Sequence, residues 1–284
     1  MKPSAGKPHW INKKIDFRAM HAIEEKLSGL QIHTVCRQAK CPNISECFKR
    51  GTATFILLGV KCTRECAFCS VTRGIPERVK EDEPDMVLEA VRRMGLGYVV
   101  ITSVTRDDLA DGGASIFAET VKKIKSRSPE IKVEVLTPDF MGRMEAIGAV
   151  LAAKPDVFGH NIETVPSLYK IRKGADYTRS LGVLGTSKKL SPGVFTKSAI
   201  MLGLGETEQE VESVLADLAK VKCDFLSIGQ YLQPGRDNYP VKEYIRPEKF
   251  DDYKKLALRM GFLHVESGTY VRSSYMADNY AAAL

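Results

Sequence analysis

With 284 residues, 44% of them apolar, and a net charge of +7, the chain can bury the core of one large α/β domain or of two small ones. No apolar run nears the roughly 18–20 residues that span a bilayer, so no membrane span is expected. No block of about five Lys or Arg marks a nucleic-acid track, and the moderate positive charge fits an acidic protein partner better.

The opening residues are basic and contain proline, without the apolar core of a secretory signal. A reducing cytoplasm is therefore expected, where thiols ligate metal rather than pair as disulfides. A helix is predicted over Phe17–Leu27, with Phe17, Met20, Ile23 and Leu27 on one face. Trp10 anchors the lead-in by burial, and His9 and His21 read as surface or packing residues.

Six of the seven cysteines follow in two triplets, Cys36-x4-Cys41-x5-Cys47 and Cys62-x3-Cys66-x2-Cys69. The first fits a zinc site completed by His33 as well as an iron-sulfur site. The second is tight enough to hold three irons of a 4Fe-4S cube with the fourth left open for a small chelator. A zinc site short of one ligand, or three buried structural cysteines, are its alternatives. Between the triplets, Thr52–Val60 reads as an inward-facing strand. Cys223 reads as a small buried hydrophobe.

From residue 53 strands and helices alternate. Strands are predicted at Phe55–Val60, Tyr98–Thr102, Lys132–Thr137, Asp156–His160, Thr196–Leu202, Asp224–Ile228 and Leu263–Val265. The helices between them carry ordinary punctuation: Pro84 and Gly95 bracket one, Ser128-Pro129 ends another, Thr207 and Glu210 form a capping box, and Pro247 opens the last. This alternation predicts a parallel sheet closed into a partial β/α barrel, whose ligands gather at the C-terminal ends of the strands. The strand ends are polar or glycine-rich: Thr102 to Asp108, Thr137 to Asp139, His160 to Thr164, Gly203 to Glu206, and Gln230 to Pro234. Such side chains suit an amino-acid head group, a ribose and an adenine.

Cys62-Thr63-Arg64-Glu65-Cys66-Ala67-Phe68-Cys69 resembles the CxxxCxxC signature of the radical S-adenosylmethionine (SAM) superfamily. Joined to the first triplet, to Arg106-Asp107-Asp108-Leu109 with Asp111-Gly112-Gly113, to His160-Asn161-x-Glu163-Thr164 and to Arg272-Ser273-Ser274-Tyr275, the chain from about Thr34 to Asp278 resembles the lipoyl synthase family. The pattern departs at Gln38, at Phe48, over Ser267–Tyr270, and near Asn238, where a histidine is expected. None of these departures removes a cluster ligand.

The resemblance implies an α/β fold, a partial (β/α)6 TIM-type barrel over 53–262. An N-terminal extension, 1–52, would carry the auxiliary-cluster cysteines, and a segment, 263–284, would close over that cluster. It implies two 4Fe-4S clusters, the SAM cluster on Cys62, Cys66 and Cys69 and the auxiliary cluster on Cys36, Cys41, Cys47 and Ser273. Thr102, Ser103, Asn161, Glu163 and Arg179 would orient SAM, with Gly203, Gln230, Tyr231 and Leu232 beside its adenosine. The implied reaction cleaves SAM to methionine and a 5'-deoxyadenosyl radical and inserts two sulfur atoms at carbons six and eight of a protein-bound octanoyl-lysine. The implied partners are an octanoylated carrier (the lipoyl domain of a 2-oxoacid dehydrogenase E2 or the glycine cleavage H protein), an electron donor such as flavodoxin or ferredoxin, and an iron-sulfur delivery protein. A monomer is expected. The rivals are another radical SAM sulfur-inserting enzyme and a non-enzymatic zinc or cluster scaffold.

Overall fold

The computed structural model describes residues 7–13, 21, 25–38, 41, 43–50 and 52–283, leaving aside the side chains of residues 36, 37, 45, 48, 49 and 281–283. The helix predicted over Phe17–Leu27 lies largely outside this set. A two-residue strand, β1 (His33–Thr34), pairs antiparallel with β2 (Ala53–Leu57). From β2 the sheet continues through β3 (Tyr98–Ser103), β4 (Lys132–Leu136), β5 (Val157–Gly159), β6 (Phe195–Leu202), β7 (Phe225–Gln230) and β8 (His264–Gly268), each parallel to the one before.

Between these strands run six helices: α1 (Glu83–Met94), α2 (Ala114–Arg127), α3 (Met144–Ala152), α4 (Tyr177–Leu190), α5 (Glu208–Lys220) and α6 (Pro247–Arg259). Six β/α units and a final strand therefore form the expected partial barrel, and residues 264–268 belong to its sheet rather than to a separate closing segment. No helix of the described residues is long and apolar enough to cross a membrane.

Local signals explain most boundaries. Gly95 takes left-handed backbone (φ 66°) and caps α1, and the Thr207–Glu210 capping box opens α5. β2 starts at Ala53, inside the predicted Thr52–Val60 segment, and stops at Leu57 rather than Val60, because Leu58 and Gly59 both turn left-handed, at φ 67° and 88°. Tyr177–Leu181, for which the sequence predicts no helix, is the first part of α4. Asp176 caps it by accepting the Arg179 N–H at 2.7 Å. Gly182 and Gly185 blur the apolar stripe that would have announced this helix.

Side chains alternate across each strand. Val99, Ile101, Val133 and Val135 face outward and pack with Val87, Val91, Phe117, Val121 and Ile124 of α1 and α2. Burying each such side chain contributes about 1.5–3 kcal/mol. Cys223 is buried, its thiol pushed up to about 12 by burial and by Asp224, and it behaves as a packing residue.

Inside the barrel, the lower layer is filled. Lys197 Nζ lies 3.0 Å from Glu134 Oε2, with both side chains at most 1% exposed. Tyr98 donates to the same oxygen at 2.8 Å. From the C-terminal helical turn Ala277–Ala283, the Tyr280 ring lies 3.9 Å from Lys197 Nζ and plugs the floor. Higher up, Ala199, Ser227 and Gly229 are small and leave space.

A buried charge that loses its partner costs about 3–5 kcal/mol, whereas replacing both partners with apolar residues is far less costly. Lys197→Met is accordingly expected to lower unfolding free energy by about 3–5 kcal/mol in denaturant titrations. Adding Glu134→Leu should recover part of that loss. Equal stability of the single variant and the parent would contradict a structural ion pair.

Candidate active site

The left-handed turn after β2 carries the second cysteine triplet across the mouth of the barrel. Glu83, at the start of α1, accepts the Leu58 N–H at 2.8 Å, and Arg106 donates to the Leu58 carbonyl at 3.2 Å. Glu65 and Cys66 then pair antiparallel with Lys173 and Arg172. Ala67 N–H donates to the Ile171 carbonyl at 2.8 Å, and Asn238 Nδ2 donates to the Cys69 carbonyl at 2.9 Å.

Arg64, inside the loop and 8% exposed, forks onto two carboxylates. It meets Asp107 at 2.6 and 2.9 Å and Asp139 at 2.6 and 2.9 Å. Bidentate pairing of this kind is strong and fixes geometry. Burial opposes ionisation of Asp139, but Arg64 and its neighbours outweigh it and hold the carboxyl well below the usual range.

Cys62, Cys66 and Cys69 edge one cavity of about 730 Å³, with Lys170, Lys173 and Asn238 at its rim. Among the described residues no three His, Cys, Asp or Glu side chains close on one point as they would around a single ion. Three thiols standing around a space suit a cube in which each iron takes one sulfur. Burial pushes the Cys69 thiol up to about 11 and raises Cys66, so metal loading releases protons.

Inside the barrel mouth, a second cavity of about 220 Å³ is lined by Cys41, Cys47, Ser273, Asn161, Glu163 and Arg272, with Val100, Leu136, Ala199 and Met201 as apolar walls. Cys36 sits on the short helix Val35–Gln38, but its side chain lies outside the described set. His33 edges a different cavity, with Glu77, Lys80 and Glu83. His33 is not among the residues that line the cavity of Cys41 and Cys47. Burial pushes the Cys47 thiol up to about 11, with Cys41 and Glu46 adding to the effect.

Both ends of the chain build this second site. Asn43 Nδ2 donates to the Tyr270 carbonyl at 2.5 Å, Tyr275 OH donates to Glu46 at 2.8 Å, Lys13 pairs with Glu46 at 2.6 Å, and Arg50 pairs with Asp278. Burial alone would raise the Glu46 carboxyl, yet hydrogen bonds from Lys13 and Tyr275 hold it below its ordinary value. The C-terminal segment rests on Gly229 of β7, where a Cβ would lie 2.0 Å from the Val271 carbonyl oxygen. Only glycine admits that approach.

Asn161 and Glu163 line the second cavity, and Glu163 also acts electrostatically on Cys66 and Cys69 of the other triplet. Asn161 accepts from the Ser273 hydroxyl at 3.0 Å and donates to Glu163 at 3.0 Å. Arg172, whose backbone pairs with Cys66, donates to the Asn161 and Ile162 carbonyls at 3.2 and 3.1 Å. Glu163 holds φ 68°, a strained conformation for a residue with a side chain. Its backbone is pinned by Ala199 and Met201, both at 2.9 Å. Burial raises its carboxyl despite Arg172 and Asn161. Ser70, next to Cys69, donates to the Gln38 carbonyl at 3.2 Å and ties the two triplets directly.

Other sequence-named residues lie outside both linings. Thr102 donates to the Leu136 carbonyl at 2.8 Å, while Ser103 keeps a buried hydroxyl without a partner. Arg179 is held by Asp139 at 2.8 Å and the Gly174 carbonyl at 2.7 Å. The Gln230 amide is spent on the carbonyls of Leu202, Tyr231 and Glu243 and on the Ile245 N–H. Gly203 makes room for it, since a Cβ there would meet the Gln230 amide at 2.3 Å. Tyr231 is buried and donates to the Tyr239 carbonyl at 2.6 Å, and Leu232 is half-buried. Arg64, Arg172, Asn238, Gly229 and Arg272 escaped the sequence reading as site residues; Arg64 and Arg272 at least lie within quoted motifs.

The radical SAM superfamily profile matches residues 56–218. A lipoyl synthase of Geobacter metallireducens is 56% identical over 278 residues, spanning 98% of both chains. One from Geotalea daltonii is 54% identical over 274 residues, 96% of this chain and 93% of that one. The chain belongs to the lipoyl synthase family. Among solved structures, Streptococcus suis SuiB bound to its precursor peptide SuiA superposes with a TM-score of 0.60 at 12% identity, covering 80% of this chain and 52% of that one. At that identity the likeness concerns the fold.

If Gly229 seats the segment bearing Ser273, Gly229→Ala should leave the second triplet intact and disable the first. Anaerobic reconstitution is then expected to yield about four irons per chain instead of about eight, with SAM cleavage retained. Eight irons in the variant would contradict this seating.

Proposed function

We propose that Cys62, Cys66 and Cys69 hold the SAM-binding 4Fe-4S cluster, and that Cys36, Cys41, Cys47 and Ser273 hold the auxiliary one. The enzyme is a radical SAM sulfurtransferase that places two sulfur atoms at carbons six and eight of a protein-bound octanoyl-lysine, giving the lipoyl group. The observation that supports the residue assignment is the shared cavity of Cys41, Cys47 and Ser273, which Asn161 and Glu163 also line, with Glu163 close enough to act electrostatically on Cys66 and Cys69. When bound, SAM with its cluster supplies a hydrogen abstraction that no side-chain acid or base performs at neutral pH, and the auxiliary cluster supplies sulfur.

The chain's own residues position and shield. Arg64, Arg172 and Asn238 fix the cysteine loop. Asn161 and Glu163 present an amide and a carboxyl to the amino-acid end of SAM, and Ser103 adds an unspent hydroxyl nearby in the sheet. Thr102, Arg179, Gly203, Gln230, Tyr231 and Leu232 act by holding the surrounding loops. Val100, Leu136, Ala199 and Met201 give an aliphatic chain apolar walls and keep water out. The serine oxygen is a harder, weaker partner for iron than thiolate, which suits a cluster that gives up sulfur.

In this reading residues 1–52 and 263–284 are extensions that close the auxiliary site on a 53–262 barrel, although the second extension begins with strand β8. The carrier is an octanoylated lipoyl domain of a 2-oxoacid dehydrogenase E2 or the glycine cleavage H protein, met by a chain of net charge +7 with Lys170 and Lys173 at the rim. Flavodoxin or ferredoxin supplies electrons and an iron-sulfur delivery protein restores the spent cluster. The enzyme acts as a monomer in the cytoplasm.

Mass spectrometry of an octanoyl-lysine peptide after turnover tests the reading. The expected product has two hydrogens replaced by two sulfurs. Ser273→Ala should still cleave SAM while product falls at least the roughly 10–100-fold seen when a metal centre loses a supporting group. Undiminished product from that variant would contradict Ser273 as a ligand.

A further inference from the structure

Arg272 lines the same cavity as Cys41, Cys47 and Ser273. Among the described residues its guanidinium has one hydrogen-bond partner, the carbonyl of the preceding Val271 at 2.7 Å, and no carboxylate forms an ion pair with it. Arg64 has two such carboxylates, Arg106 has Asp108, and Arg179 has Asp139. Arg272 is thus an arginine of the site without an acidic partner.

An arginine stays protonated in proteins, and an enclosed charge without a counter-charge is costly. The carbonyl that it holds is the one pressed against Gly229, and Nη1 itself comes within 3.5 Å of the position a Gly229 Cβ would take. The guanidinium thus lies beside the strand, on a half-buried residue. The cavity offers it the sulfurs of Cys41 and Cys47, while Glu163, which also lines it, forms no ion pair with Arg272 among the described residues. A 4Fe-4S core bound by three thiolates and a serine oxygen is a net anion, and its potential responds to nearby charge and to hydrogen bonds at sulfur.

We propose that Arg272 is the counter-charge of the auxiliary cluster, a positioning residue that stabilises the anionic cluster and raises its reduction potential. The proposal rests on assigning the first triplet and Ser273 to that cluster. Arg272 acts through the cluster and need not touch SAM or the acyl chain.

The test uses the full-length chain carrying Cys62→Ala, Cys66→Ala and Cys69→Ala, so that only the auxiliary cluster assembles. Its midpoint potential is read by EPR-monitored redox titration, and its lability by iron release to a chelator. Arg272→Gln is expected to shift the potential to more negative values and to speed iron release, while Arg272→Lys, which keeps the charge, stays near the parent on both measures. A Gln variant too labile to hold iron beside a Lys variant that holds it would support the same conclusion.

Unchanged potential and release in Arg272→Gln would overturn the proposal. So would equal effects of Lys and Gln, including failure of both to hold iron, because shape rather than charge would then be decisive. Failure of the parent to assemble any cluster with Arg272 intact would overturn the assignment of the first triplet, and this proposal with it.

Discussion

The main chain at Val271 presses so closely on Gly229 that no side chain fits between them. The functional half of the molecule depends on this contact. It brings a segment more than 200 residues away in sequence against Cys41 and Cys47 and sets Ser273 beside Asn161. The seat is reinforced from the other end of the chain, where Lys13, Asn43, Glu46 and Arg50 bind Tyr270, Tyr275 and Asp278. The half-buried Tyr275–Glu46 bond is charge-assisted and contributes about 1.5–3 kcal/mol, whereas the exposed Arg50–Asp278 pair adds about 1 kcal/mol at most.

Below that seat the barrel interior is divided by side-chain size. Tyr98, Glu134, Lys197 and Tyr280 fill the floor. One layer higher, Ala199, Ser227 and Gly229 leave the volume that the upper site uses. Charged residues then lash the cysteine loop to its neighbours: Arg64 to two strand-end loops, and Arg172 to the carbonyls before Glu163. These ties hold the cysteine loop in one geometry and help keep water out of the mouth.

Much of this was legible in the sequence because the signals are local. Strand periodicity, the Thr207 capping box and Gly95 each act over a few residues, and each appears in the structure. Helix α4 hid its stripe behind Gly182 and Gly185. The end of β2 depended on a left-handed Leu58, which composition does not announce.

Long-range roles were beyond reach. Gln230 and Arg179 carry groups that could touch a nucleotide, yet the fold spends them on the carbonyls of Glu243 and Gly174 and on Asp139. Conversely, Gly229 looks like any glycine in a strand until Val271 is seen against it, and Asn238 looks like a loop residue until it reaches Cys69. Even so, the resemblance to the lipoyl synthase family points to the Arg-Ser-Ser-Tyr stretch at 272–275 from the sequence alone.

The central claim is that the two triplets face one another through Asn161 and Glu163 at a single mouth. EPR of the doubly reduced protein, compared with full-length variants that retain one cluster each, tests it most directly. The expected result is spin–spin broadening and faster relaxation absent from either single-cluster spectrum. A spectrum equal to the simple sum of the two would contradict the account.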